Sequence, residues 1–165
     1  MSVRVVVADT GPLHYLVLIG QIDLLPRLFT AVTVPTVVRD ELLHPNTPRI
    51  VRDWAADPPA WLTVTTAPAH DEQAAQRLDA GESAAIALAL APRADLMLMD
   101  DRAAVAVARA QGLSVVGTIG ILDLARRRKL INVADAVARL KATNFRYPPG
   151  LLDALLTASS DGGGV

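Results

Sequence analysis

Short, unbroken apolar runs alternate with longer runs of helical spacing along most of this chain. Val3 to Ala8 is β-branched and continuous, the pattern of a strand buried on both faces of a parallel sheet. Gly11-Pro12 breaks the chain after it. Leu13 to Ile19 and Ile22 to Phe29 space their apolar residues as helices do, with Gly20 as a stop between them. Ala31 to Val34 is a second short strand, ended by Pro35, and Thr36 is placed to cap a helix through about Leu43. Thr47-Pro48 opens a further helix to about Ala56, since proline is tolerated in a first helical position, and Asp57-Pro58-Pro59 stops it. Trp61 to Thr65 reads either as a strand or as a loop.

The second half repeats the alternation. A helix is expected near Asp71 to Leu78, then an almost wholly apolar and therefore buried helix from Glu82 to Leu90. Leu96 to Met99 is a third strand. Arg102 to Gln111 is a helix closed by Gly112, and Leu113 to Val116 is a fourth strand. Helices follow over about Ile119 to Arg128 and Ala134 to Lys141, the latter capped by Asn132. Pro148-Pro149-Gly150 opens a last short helix, and Ser159 to Val165 reads as a frayed tail. Strands separated by helices imply an α/β domain with helices on both faces of a parallel sheet. There is no internal repeat, and the proline-rich stretch 58–68 reads as a surface loop. One domain over residues 1–158 with a flexible tail over 159–165 is the expected organisation.

Composition narrows the chemistry. Of 165 residues, 52% are hydrophobic, enough for a sizeable core. Aromatic residues make up 4%, which argues against stacking nucleic-acid bases on an aromatic platform. The net charge of -1 gives no global field to attract a polyanion. The absence of cysteine excludes disulfides, thiolate metal sites and cysteine nucleophiles. The N-terminal apolar run is too short for a signal-peptide core, and no stretch of about 18 apolar residues occurs, so a cytoplasmic location without a membrane span is expected.

Against this background five carboxylates stand out. Asp9 ends the first strand, and Asp100-Asp101 end the third. Ligands of open parallel sheets bind beyond the carboxyl ends of strands, so these acids share one crevice if their strands are neighbours. Asp is also an ordinary helix cap, which is the structural alternative for both places. Glu41 falls within the apolar arc of Val37, Val38 and Leu42, whereas Asp40 falls outside it. Glu82 lies above Ile86 and Ala89, yet Asp79-Ala80-Gly81-Glu82 also has the form of a capping box. Converging carboxylates repel one another and raise their own pKa values, a cost relieved by a hard divalent cation. Oxygen-only ligands favour Mg²⁺ or Mn²⁺, and such sites suit phosphoryl-transfer chemistry.

In order along the chain, Val-Ala-Asp9-Thr-Gly-Pro-Leu, Val34-Pro-Thr-Val-Val-Arg-Asp-Glu41-Leu, Gly81-Glu82-Ser-Ala-Ala-Ile-Ala-Leu-Ala-Leu, Leu96-Met-Leu-Met-Asp-Asp-Arg-Ala-Ala and Gln111-Gly-Leu-Ser-Val-Val-Gly-Thr-Ile-Gly-Ile-Leu form a set. This set resembles the PIN-domain ribonucleases, and most closely the subgroup of VapC-like toxins, over roughly residues 5–131. The resemblance implies a PIN-like, Rossmann-like α/β/α sandwich around a parallel sheet of four or five strands. It implies hydrolysis of RNA phosphodiesters with Mg²⁺ or Mn²⁺, in a toxin–antitoxin pair, by a homodimer held through helices of the N-terminal half. Carried over, the catalytic acids are Asp9, Glu41, Glu82 and Asp101, and the metal ligands Asp9, Asp101, Asp100 and Glu82. The family's Thr-x-Asp register selects Asp101 over Asp100, with Met99 at the hydroxyl position. Gly11 stands where many relatives have Ser or Asn, and Glu82 where the wider family commonly has Asp. Thr10, Arg102 and Thr118 are carried as substrate contacts, although Arg102 also serves to neutralise the acid pair.

Two other function classes fit the same residues: a non-catalytic protein-binding module on this fold, and another Mg²⁺-dependent phosphohydrolase. His14, His44 and His70 show no metal-ligand spacing. The run Arg126-Arg127-Arg128-Lys129 suits either a helix C-terminus or an RNA backbone.

Overall fold

The computed structural model describes residues 5–70 and 78–162. The alternation of elements read from the sequence is present. In chain order they are β1 (Val6–Ala8), α1 (Thr10–Leu18), α2 (Leu24–Phe29), β2 (Val32–Pro35), α3 (Thr36–Leu42), α4 (Arg49–Ala56), β3 (Leu62–Thr65), α5 (Ala80–Leu90), β4 (Leu96–Leu98), α6 (Arg102–Ala110), β5 (Val115–Val116), α7 (Thr118–Arg127), α8 (Val133–Lys141) and α9 (Leu151–Gly162). The expected helix near Asp71 to Leu78 falls, except for Leu78, outside the described residues.

Five strands form one parallel sheet in the order β3-β2-β1-β4-β5. Strands β1, β4 and β5 are continuous apolar runs because both of their faces are covered. Val6 and Ala8 on β1 and Leu98 on β4 belong to the larger apolar cluster, on one side of the sheet. Val7, Met97, Met99 and Val115 belong to the smaller cluster, with Ala85, Ala89, Ala104 and Ala108 of α5 and α6. That is the alternation of side chains across a strand, with apolar residues at both phases. The remaining helices, α1 to α4 and α7 to α9, contribute their apolar faces to the larger cluster. The result is the expected three-layer α/β/α arrangement.

The chain order reverses at the middle of the sheet. Strands β1 to β3 build outward to one edge, and β4 then returns to the other side of β1. Val6, Val7 and Ala8 pair in register with Leu96, Met97 and Leu98, and the Asp9 N–H donates to the Leu98 carbonyl at 2.8 Å. The carboxyl ends of β1 and β4 therefore lie side by side at the topological switch point, where open α/β sheets leave a crevice.

Several details depart from the sequence expectations. Trp61 to Thr65 contributes a real edge strand, β3, because backbone pairing with all of β2 is available to it. Pro35 is the last residue of β2 and sits at the N-cap of α3, so Thr36 starts the helix instead of capping it. Pro48 likewise caps α4 by position and does not occupy its first turn. The last helix continues through Ser159 and Ser160 to Gly162, past the point where a tail was expected.

Candidate active site

Asp9 leaves β1 and stands at the N-cap position of α1, yet its carboxylate makes no side-chain cap bond. It is only 6% exposed, and its Oδ1 has no hydrogen-bond partner. Burial pushes its pKa up from 3.8 to about 8; the Thr10 backbone N–H offsets part of the rise, while Asp79, Glu82 and Glu41 add to it. The ordinary reading of Asp9 as a helix cap is therefore not what the side chain does. A buried carboxylate oxygen without a donor is costly unless it holds a proton or faces a cation.

Glu82 uses one carboxylate oxygen as a helix cap and leaves the other without a partner. The capping box of α5 is complete: the Glu82 N–H donates to Asp79 Oδ1 at 2.7 Å, and the Asp79 N–H donates to Glu82 Oε1 at 3.1 Å. The other oxygen, Oε2, is buried and has no partner. Burial, then the charges of Asp79 and Asp101, raise the Glu82 pKa from 4.5 to about 7, against the lowering effect of the Asp79 N–H.

Glu41 reaches the same region from α3. Thr10 Oγ1 donates to Glu41 Oε2, and the Gly81 N–H donates to Oε1 at 3.1 Å. A β-carbon at Gly81 would lie 2.5 Å from both Glu41 oxygens, so glycine is what lets α5 approach this acid. Burial raises the Glu41 pKa, and Asp79 adds to the rise. Val38 and Leu42 are buried, Glu41 is half-buried and Asp40 is exposed, as the helical phase predicts.

The structure separates the two acids after β4. Asp100 accepts both the Thr118 N–H at 2.6 Å and the Thr118 hydroxyl at 2.7 Å, and burial raises its pKa. A β-carbon at Gly117 would meet Asp100 Oδ1 at 2.7 Å. At Gly11 it would meet Oδ2 at 3.1 Å, so the glycine that stands in place of Ser or Asn leaves room for this acid. Asp101 is exposed and caps α6, accepting the Ala104 N–H at 3.0 Å, while its charge still acts on Glu82.

Two of the expected substrate contacts bond to acids of the cluster in this geometry. Thr118 is fully buried and spends both donors on Asp100, so it orients that acid and is closed to a substrate. Thr10 spends its hydroxyl proton on Glu41. Arg102 is exposed at the start of α6 and makes no ion pair among the described residues, so it does not neutralise the acid pair by contact. In the basic run, Arg126 and Arg127 bind Asp123 at 2.9 and 3.0 Å. His14 packs edge-on against Tyr15, and His44 Nδ1 accepts the Asn46 N–H; both line a groove that also holds Glu41.

Sequence reasoning assigned Asp79 a capping role alone. It also acts electrostatically on Asp9, Glu41 and Glu82, which adds a sixth acid to the five singled out in the sequence. Its place one turn before Glu82, at the start of a helix aimed at the same crevice, was the signal available. Among the described residues, no three acids or histidines converge on one point as a ready-made metal site requires. What the cluster offers is electrostatically coupled carboxylates with two buried, unsatisfied oxygens.

The family model described as a PIN domain, DUF3368, matches residues 5–161, nearly the whole chain. The chain belongs to the PIN-domain family. No curated protein sequence matches it. PIN domains are generally nucleases that bind RNA and typically use divalent metal ions, so membership assigns this PIN domain a nuclease-type function. Among the described residues, no helix is long and apolar enough to cross a membrane.

Proposed function

We propose that this PIN domain is a Mg²⁺- or Mn²⁺-dependent endoribonuclease and the toxin of a toxin–antitoxin pair, acting in the cytoplasm as a homodimer. The observation that carries the catalytic part is the pair of buried, partnerless carboxylate oxygens, Asp9 Oδ1 and Glu82 Oε2, at the switch point of the sheet. The donor set fits a hard cation: it is all oxygen, and burial leaves two of its atoms without any other counter-charge. Asp9 and Glu82 would hold the ion, with the third acid supplied by Asp101 or Asp100.

Such an ion polarises a phosphodiester and lowers the pKa of bound water. The chain's own groups do the positioning. Thr10 and the Gly81 N–H fix Glu41 with both oxygens directed, leaving it as the acid placed to accept a proton from the attacking water. Burial raises its pKa, the direction that makes a carboxylate a better proton acceptor. Thr118 holds Asp100, and the cap bond to α6 holds Asp101. Water attack leaves 5′-phosphate and 3′-hydroxyl ends. The homodimer reading is supported by Leu43 and Ile50, exposed apolar residues of the α3–α4 region.

The test is cleavage of single-stranded RNA with and without Mn²⁺, in the native chain and in Asp9→Asn and Glu82→Gln. Metal-dependent cleavage that disappears in both variants is the expected result. Turnover that survives both substitutions would sink the assignment. A non-catalytic binding module has one observation on its side, the lack of three converging acids among the described residues. It predicts no metal-dependent turnover on any RNA.

A further inference from the structure

The low aromatic content argued against a stacking platform, but the fold concentrates what there is. Three of the chain's six Phe, Tyr and Trp rings, Tyr15, Phe145 and Tyr147, line one groove of about 1290 Å³. Tyr15 and Phe145 meet edge-on with centroids 4.9 Å apart; Phe145 and Tyr147 are nearly parallel, 21° apart, at 6.0 Å. All three are half-buried, fixed against the core yet facing the groove. Asp100 and Asp101 line the same groove, which makes it continuous with the candidate active site.

The charges in this groove divide by place. Arg102 and Arg146 are exposed and make no ion pair among the described residues. The groove's other acid, Asp123, is held by Arg126 and Arg127. The groove therefore sets three half-buried aromatic side chains beside guanidinium groups that make no ion pair among the described residues. Asn144, which accepts the Tyr15 hydroxyl at 2.9 Å, borders both this groove and a second one that contains Glu41. The two grooves share Asn144 as a lining residue.

We propose that this groove seats single-stranded RNA next to the acids, with bases stacking on Tyr147 and Phe145 and phosphates held by Arg102 and Arg146. The proposal rests on the nuclease reading and adds to it the residues that position the substrate. Stacking accepts any base, because every base has a π-face, and it requires that the base be unpaired. The platform therefore selects single strands over duplex with little dependence on sequence. Free arginines beside aromatic rings and continuity with the acids favour RNA over a protein helix as the occupant.

The experiment measures binding of a labelled single-stranded oligoribonucleotide of about twelve nucleotides to the full chain in EDTA, by fluorescence anisotropy. The same oligonucleotide as a duplex is the comparison. The single strand is expected to bind more tightly. Tyr147→Ala and Arg146→Ala should each weaken binding by about fivefold or more, and Tyr147→Phe by less than about twofold. Unchanged melting temperatures show that the variants are folded. With Mn²⁺ present, Tyr147→Ala should raise KM more than it lowers kcat. Absence of binding, equal binding of duplex, or native affinity in both Tyr147→Ala and Arg146→Ala overturns the proposal; the last result leaves the groove to a protein partner. RNA binding that depends on Tyr147 without any cleavage upholds the groove and removes the nuclease reading. Asp9-dependent cleavage indifferent to Tyr147 does the reverse.

Discussion

At Asp9 a carboxylate is shut away from water with one oxygen bonded to nothing, and its neighbours are other acids. In the metal-free protein, ionising that cluster costs stability, and protons retained on it relieve the cost. A carboxyl group whose pKa is raised in the folded state favours folding at low pH and loses that advantage as pH rises. For Asp9 the window runs from 3.8 to about 8, and for Glu82 from 4.5 to about 7. The melting temperature in EDTA should therefore fall across that range, and Asp9→Asn should flatten the fall. A profile that rises with pH, or that is the same in Asp9→Asn, contradicts the assigned environment. Gly81→Ala tests a different part of the site. The new methyl group displaces Glu41, whose carboxylate is the flexible end of a side chain, so the fold should persist. Cleavage should drop by roughly ten- to a hundredfold, with the melting temperature little changed. A variant as active as the native chain would show that Glu41 need not be held by Gly81. The positions of Asp9, Glu41 and Glu82 at a strand end and on helix faces were legible, because strand ends and helical phase are local properties. The family register selected Asp101 over Asp100, but the bonds that distinguish the two acids, from Thr118 to Asp100 and from the α6 backbone to Asp101, depend on tertiary packing, as does the bond from Thr10 to Glu41.

Three helices begin at this crevice, and each begins with an acid: Asp9 before α1, Asp79 before α5 and Asp101 before α6. Helix N-termini carry partial positive charge, which favours anions there. Asp79 and Asp101 make cap bonds and Asp9 does not, so the three are not equivalent. Asp101→Ser keeps an oxygen at the cap and removes the charge. If Asp101 supplies the third acid, Asp101→Ser should retain stability but lose cleavage, whereas Asp101→Ala should also cost about 1 kcal/mol of stability. Denaturant unfolding and RNA cleavage on both variants separate the roles; full activity in Asp101→Ser would move the third acid to Asp100. The elements themselves were largely legible, since apolar runs and their spacing mark strands and helices wherever packing agrees with local preference. Element ends were less so. Proline at 35 and 48 serves the N-cap position because its fixed backbone suits the turn into a helix, and β3 exists because β2 offers it a full register of partners.

For the molecule as a whole, the sheet order decides that the acids meet. Nothing local in the sequence says that β4 returns to lie against β1, yet that pairing puts Asp9 beside the end of β4 and assembles the site. The same long-range packing brings the 144–147 segment to the aromatic groove, which composition alone argued against. At this scale the homodimer reading predicts that Ile50→Glu, at an exposed apolar position on α4, shifts the chain to monomer in sedimentation. An unchanged sedimentation coefficient for a native dimer would place the contact elsewhere. The central claim is that the buried oxygens of Asp9 and Glu82 exist to hold a divalent cation. Calorimetric titration of Mn²⁺ into the metal-free chain tests it most directly. Saturable binding that is lost in both Asp9→Asn and Glu82→Gln, while Asp40→Asn binds as the native chain does, is the predicted result. No binding, or binding that both variants retain, would contradict it.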